Sequence, residues 1–459
     1  LRCSPMAIMK QFEHQVKSIK KFQTCPRGLD FSDPGTGKTR VQIDLFAARR
    51  AAGGGCALII APKSLLESAW VNDFKKFAPH LTLSVAYANN RAERFNEKAD
   101  VYITNTDATR WLAKQKRTAF RAFDSIIVDE ISYFKHHTSQ RSKALKKIVP
   151  SFTYRYGLTG TPDANTILDL WHPVYLIDDG ERLGKSFFAF RNSVCTSIQV
   201  GPKVQMIKWQ DKPGAAAAIA DILADISVRY TLEECHDIPQ NHMYTIPYTL
   251  SSKQRVVYNH MQDYALLEVS EGKVINAVNA AALITKLLQI SSGAVYDEQS
   301  HSVFIEDGRY QLITDLVAAR NHSLVFFNWK HQATALKKAF EKAGISYCLF
   351  DGNTSAQQRN EYVNEFQQGR YRVCLAHPQT AAHGLTLTRA TTTIWASPTY
   401  NLEHFLQGNR RIYRAGQKQK TETILIEAKD TIEAEVYAKL RDKDAKQLTF
   451  LRILRELSK

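Results

Sequence analysis

At 459 residues the chain is too long for one ordinary core and suits two domains, and none of its apolar runs approaches the roughly 18 residues that cross a bilayer. Its seven cysteines lie far apart, odd in number and without a C-x-x-C pair, which argues against a zinc knuckle or a disulfide framework and favours a reducing, cytoplasmic home. The net charge of +16 calls for a polyanionic partner, and residues 1–170, with 27 Lys and Arg against 15 Asp and Glu, carry +12 of it.

In chain order, short apolar runs alternate with longer helical patterns. The runs are 57–62, 101–105 and 125–130, then 323–329, 371–377 and 391–397. Continuous apolar runs mark parallel strands covered on both faces, so the fold class is α/β and ligands belong at the carboxyl ends of the runs. Between the two series, residues 165–310 read as helical with breaks at Pro202, Pro213, Pro239 and Pro247. Helices are predicted over 214–226 and 274–290, where alanine and the apolar spacing favour them. The predicted boundary falls near 240, dividing a first lobe at 1–240 from a second at 241–459. Leu1 to Pro5 show no secretory apolar core, so no export is expected. Lys143, Lys146 and Lys147 are spaced for one side of a helix in a strongly basic stretch.

The first chemical signal is Ser32-Asp33-Pro34-Gly35-Thr36-Gly37-Lys38-Thr39, a phosphate-binding loop with serine at the first glycine position. Gly35 and Gly37 let backbone N–H groups approach phosphates, Lys38 brings a charge to the β and γ oxygens, and Thr39 can hold Mg²⁺. The second is the run ending in Asp129 and Glu130, a Walker B pair. Asp129 is predicted to hold the metal and Glu130 to polarise an attacking water. The third is the cluster Gln407-Gly408-Asn409-Arg410-Arg411-Ile412-Tyr413-Arg414, whose arginines can neutralise charge developing on a γ-phosphate. Together these predict an ATP hydrolase using ATP and Mg²⁺.

Taken in order, these residues resemble helicase superfamily two, and more narrowly its Swi/Snf-like ATPases, over nearly the whole chain. Gln15 falls at that family's adenine-reading glutamine, and Trp70 and Phe74 at its motif Ia. Lys135 follows the acidic pair as in the family. Leu158-Thr159-Gly160-Thr161-Pro162 is similar to its coupling motif, continued by Asn165, Leu170 and Trp171. VFFNWK, the turn with Arg359, TAAHGLTLTRA and QGNRRIYRAGQ resemble motifs of the second lobe, the last giving Arg411 and Arg414 as arginine fingers beside Gln407. Thr431, Ile432 and Glu433 resemble the closing brace. The departures are Ser32, Ser132, Thr386 and Arg410.

The resemblance implies two RecA-like lobes with a helical insertion between them, and translocation along double-stranded or forked DNA. Lys63, Thr104, Asn105, Lys330 and Thr380 are the implied contacts to phosphates, which suit a motor indifferent to sequence. A compact bacterial or phage enzyme, associated with the nucleoid and with replication or recombination proteins, is the expected setting. Two alternatives stay open at this point: a strand-separating DNA or RNA helicase, and an ATP-gated DNA-binding subunit of a defence or restriction complex.

Overall fold

The computed structural model describes residues 10–163, 166–200, 206–270, 277–296, 301–306, 308–381 and 385–457. They form two compact units, Leu1–Asp237 with Lys443–Lys459, and Ile238–Asp442.

The first unit holds β1 (Arg27–Asp30), β2 (Cys56–Ala61), β3 (Leu83–Ala86), β4 (Val101–Asn105), β5 (Phe123–Asp129) and β6 (Tyr154–Leu158). A hairpin of β7 (Cys195–Gln199) and β8 (Ile207–Asp211) follows, then the two-residue β9 (Ser227–Val228). Seven of these strands make one parallel sheet in the order β3-β4-β2-β5-β6-β1-β9. The apolar runs explain it. Alternate residues of β2 feed opposite faces, Leu58 and Ile60 packing with Ile126 and Val128, while Ala57 and Ile59 pack with Ile103 and Ile127. A strand buried on both faces has no polar alternation.

The second unit holds β10 (Asn241–Tyr248), the hairpin β11 (Ala294–Tyr296) and β12 (Ser302–Phe304), β13 (Ser323–Phe326), β14 (Tyr347–Phe350), β15 (Val373–Ala376), β16 (Thr392–Trp395) and β17 (Thr421–Ala428). Its parallel sheet runs β10-β17-β16-β13-β15-β14. Val325, Leu375 and Ile394 face one core, and Leu324, Cys374 and Trp395 the other. Each lobe is thus α/β with helices on both faces, as the fold class required.

One expectation needs correction. The stretch 165–310 is not wholly helical: it supplies both hairpins, and β9 and β10 each join a main sheet. The predicted helices are found at Ala215–Leu223 and Ala277–Ser291, residues 274–276 lying outside the described set. The closing helix Ile432–Leu457 starts in the second unit, but its end belongs with the first, where Phe450, Leu451 and Leu454 join the core. No described helix is long and apolar enough to cross a membrane.

Candidate nucleotide-binding site

The phosphate loop leaves β1 and enters the helix Lys38–Ala51. Gly35 and Gly37 take φ of +91° and +84°, which a side chain resists. At Gly37 there is a second constraint, since a Cβ would collide with the amide nitrogen of Gln15. Gln15 is buried, and its Oε1 accepts from Phe12 N at 3.0 Å, so the side chain is set against the loop before any ligand arrives. His14 reaches the same loop, its Nε2 donating to Thr36 O across 2.7 Å.

Ser32 shows why the first glycine is dispensable here. Its Oγ accepts from Tyr230 N at 3.1 Å, and Asp33 N donates to Tyr230 O at 2.9 Å. Asp33 pairs through Oδ1 with Arg229 at 2.6 Å and accepts from Leu232 N at 3.1 Å. The segment after β9 therefore clamps the loop from outside. Asp33, expected to bind the nucleotide, is corrected to a positioning residue, because its carboxylate and its N–H both face this clamp. Lys38 Nζ donates to Ser32 O at 2.5 Å and Asp33 O at 3.2 Å, folded over the loop's own carbonyls. Thr36 closes the turn through Oγ1 to Asp33 O, and Thr39 stands half-buried in the first helical turn.

The acidic pair ends β5. Asp129 is buried, accepting from Trp70 Nε1 at 2.9 Å and from Glu130 N at 3.0 Å. Burial holds its carboxyl above the ordinary carboxylate pKa, the indole and the Lys38 charge opposing. Trp70 comes from a π-helical turn, Leu66–Val71, an irregularity frequent at functional sites. Glu130 has φ of +51°, a costly conformation for glutamate that turns the residue out of the strand line. Thr159 Oγ1 donates to Glu130 Oε2 at 3.3 Å and accepts from Thr161 N at 3.1 Å. Gly160 abuts Pro34, whose Cδ lies 2.8 Å from where a Cβ would stand. The Thr159–Thr161 turn thus touches both the phosphate loop and the acidic pair. Nearby, Lys135 pairs with Asp169 at 3.2 Å, and Asn165 lies outside the described residues.

In the second unit the arginine cluster follows the helix Leu402–Asn409. Arg411 is buried, donating from Nε to Gln407 O at 2.7 Å and from Nη1 to Leu385 O at 3.3 Å. Arg414 Nη1 donates to the same Leu385 O at 2.9 Å, so both arginines converge on one carbonyl. Gln407 donates to Glu403 at 3.4 Å, and Arg410 lies over the Tyr413 ring. Gln417 fixes the far end of the cluster, its Nε2 reaching Thr388 O, Ala390 O and Ile412 O at 3.0–3.2 Å. Residues 382–384 of the neighbouring motif lie outside the described set.

Of the expected phosphate contacts, Lys63 is exposed just beyond β2, and half-buried Asn105 ends the adjacent β4, its Oδ1 accepting from Arg91 at 3.0 Å. Lys330 is exposed at the head of the helix after β13, and Thr380 is half-buried in the turn after the adjacent β15. Thr104 is a correction: it is fully buried in β4 with its hydroxyl donating to Ala86 O at 2.8 Å, so its side chain serves the sheet. Sequence reasoning missed Arg229, His14 and the buried Asp30, which accepts from Ser32 N at 2.9 Å. Only Asp30, at the end of a strand before the loop, left a signal that could have found it.

A phosphate loop after a parallel strand, an acidic pair closing another, and an arginine loop on a second parallel sheet define a nucleoside-triphosphate hydrolase of the two-lobed helicase class. Residues 14–293 match the SNF2-related domain and residues 308–416 the helicase conserved C-terminal domain, and the chain belongs to the SNF2-related family of ATP-dependent enzymes. It is 30% identical over 410 residues to protein p41 of Acyrthosiphon pisum secondary endosymbiont phage 1, covering 85% of this chain and 86% of that protein. An ATP-dependent helicase of Mycoplasma genitalium is 26% identical over 83% of this chain, which spans only 36% of that protein's length. The solved Sulfolobus solfataricus SWI2/SNF2 ATPase core in complex with dsDNA aligns with 98% of this chain and 96% of its own, at 20% identity and a TM-score of 0.45.

Proposed function

We propose that this SNF2-family ATPase couples ATP hydrolysis to movement along double-stranded DNA and remodels DNA or forks in replication, recombination or repair. The observation that carries the reading is the connection of Lys38, Asp129 and Glu130 through Trp70, Pro34 and the Thr159–Thr161 turn. That turn gives a change at the γ-phosphate a route into the rest of the fold. The charge of +16, concentrated toward the first lobe, supports a nucleic-acid track, and the helicase name of the mycoplasmal relative agrees with it.

In this reading the loop N–H groups and Lys38 hold the phosphates, and Gln15 reads the adenine. Lys38 exchanges its loop carbonyls for phosphate oxygens. Glu130 orients the attacking water and takes its proton, while the bond between the β,γ-bridging oxygen and the γ-phosphorus breaks and ADP leaves. Mg²⁺, when bound, neutralises the β and γ oxygens. Thr39 and Asp129 fit it, since this ion keeps most of its waters and takes few protein ligands; among the described residues no cluster of three His, Cys, Asp or Glu exists that would demand a different metal. Arg411 and Arg414 act on the transition-state charge, with Gln407 supporting Arg411. Lys63, Asn105, Lys330 and Thr380 touch the tracked strand, and a nucleoid-associated bacterial or phage setting suits the phage relative.

Steady-state ATP turnover with no nucleic acid, single-stranded DNA, duplex, forked DNA and RNA tests this, with Lys38→Ala as the blank. Stimulation by duplex or fork is expected. Stimulation by RNA or single strands alone would overturn the duplex track.

A further inference from the structure

In the second unit Lys330 and Thr380 follow the carboxyl ends of β13 and β15. At the opposite, amino-terminal edge of the same sheet is a cavity of about 940 Å³, lined in part by the last residues of two motifs, Thr388 and Arg389 of one and Gly416 and Gln417 of the other, but by none of the expected site residues. Its walls are the segments that lead into β13, β14, β15, β16 and β17, together with the loop 416–419. Arg372, Arg389, Lys418 and His322 line it, and none of the described lining residues is Asp or Glu.

The two guanidinium groups are aimed by neutral acceptors. Arg372 donates from Nε to Arg320 O at 3.1 Å and from Nη2 to Ala318 O at 2.7 Å. Arg389 donates from Nη1 to Gln367 O at 3.0 Å and from Nε to His322 Nε2 at 3.1 Å. Carbonyl and imidazole acceptors orient a cation without cancelling its charge. The carboxylates on nearby segments are committed elsewhere, Glu422 to Arg320 and Glu365 to Arg370. Because His322 Nε2 accepts from Arg389, the ring is neutral and its Nδ1–H is a donor. Burial, then Arg389 and Arg372, keep this imidazole below its ordinary pKa, consistent with that tautomer. The remaining wall adds amides and hydroxyls, Gln419 and Thr391 among them.

We infer that this cavity is a second anion site, built for the oxyanions of a phosphate-bearing ligand and separate from the nucleotide site. Fixed guanidinium groups, a lysine and a neutral imidazole donor match tetrahedral phosphate oxygens, which take several charge-assisted hydrogen bonds at once. The site stands whether or not the translocation reading does.

The test is calorimetric titration of the full chain carrying Lys38→Ala, which removes the phosphate loop's own affinity, with tripolyphosphate in one arm and a 12-base-pair duplex in the other. The comparison protein adds Lys418→Glu, an exposed position whose side chain has no structural bond to lose; Arg389→Gln is a second comparison, with thermal unfolding checked for both. A loss of about tenfold or more in tripolyphosphate affinity supports a site for free phosphates, one charge-assisted contact being worth that much. The same loss seen only with the duplex supports a site for backbone phosphates. Equal affinities for both probes in folded Lys418→Glu and Arg389→Gln proteins would overturn the assignment.

Discussion

In each unit an arginine and a carboxylate are buried together as a pair, and these two pairs serve different ends. In the first, Arg229 and Asp33 are 4% and 9% exposed and sit under the phosphate loop. In the second, Arg309 and Glu433 are 1% and 0% exposed, and the arginine also donates to Ala396 O and Ser291 O. Glu433 belongs to the brace motif and also accepts from Ala428 N at the end of β17. A buried ion pair holds geometry more surely than it adds stability, because desolvation offsets the attraction. What it holds therefore decides its role: a ligand loop in one unit, a structural joint in the other.

The sharpest break of that comparison lies beyond either pair, in the arginines of the second unit. Arg414→Ala should lower DNA-stimulated turnover about 10³-fold, the usual scale for an arginine finger. A wild-type rate would leave Arg414 as packing for Leu385. Glu130→Gln should cost about 10²-fold or more in turnover while ATP still binds, as measured by fluorescent-nucleotide titration. Glu433→Gln strands the Arg309 charge and should destabilise the second unit by about 3 kcal/mol or more in urea unfolding, with nucleotide affinity kept. Asp33→Asn strands the Arg229 charge in the same way, so stability should fall here too, and ATP binding should in addition weaken about tenfold, since one charge-assisted support of the loop is lost. If Glu433→Gln also weakened ATP binding, the division of roles between the pairs would fail.

The sequence exposed what is local. Six of the apolar runs are strands, because a parallel strand covered on both faces must be apolar throughout, and Lys38 and Glu130 follow from spacing within a few residues. What stayed hidden depends on partners far along the chain. Nothing near Arg229 marks it as the support of a loop almost 200 residues earlier. Two-residue β9 is too short for any periodicity, and β10 contains Pro247 and mostly exposed side chains, which argue against a sheet strand when read alone. Thr104 was misread for a related reason: motif position singles it out, but only the pairing with β3 shows its hydroxyl turned to Ala86 O.

Two further buried groups let the comparison be sharpened by pH. His172 in the first unit and His331 in the second are both pushed down to about 4, by burial above all. His172 donates from Nδ1 to Phe134 O at 2.6 Å and has no acceptor at Nε2, so a second proton would have no partner there. The folded state then holds fewer protons than the unfolded state between pH 4 and 6.5. Stability from each histidine is full above 6.5 and is lost as pH falls toward 4, by about 1 kcal/mol from pH 6 to 5. Asp163, in the first unit, has the opposite sign: burial raises it to about 8, so the folded state keeps a proton the unfolded state releases above about 3.8. Its contribution is present at acid pH and is lost as pH rises toward 8. His172→Asn should therefore make the first unit less sensitive to acid, and Asp163→Asn should make it more so. His331→Gln should flatten the acid loss of the second unit alone. Urea midpoints at pH 5, 6 and 7 read all three, and slopes that tilted the same way for His172→Asn and Asp163→Asn would show that burial does not set these two groups.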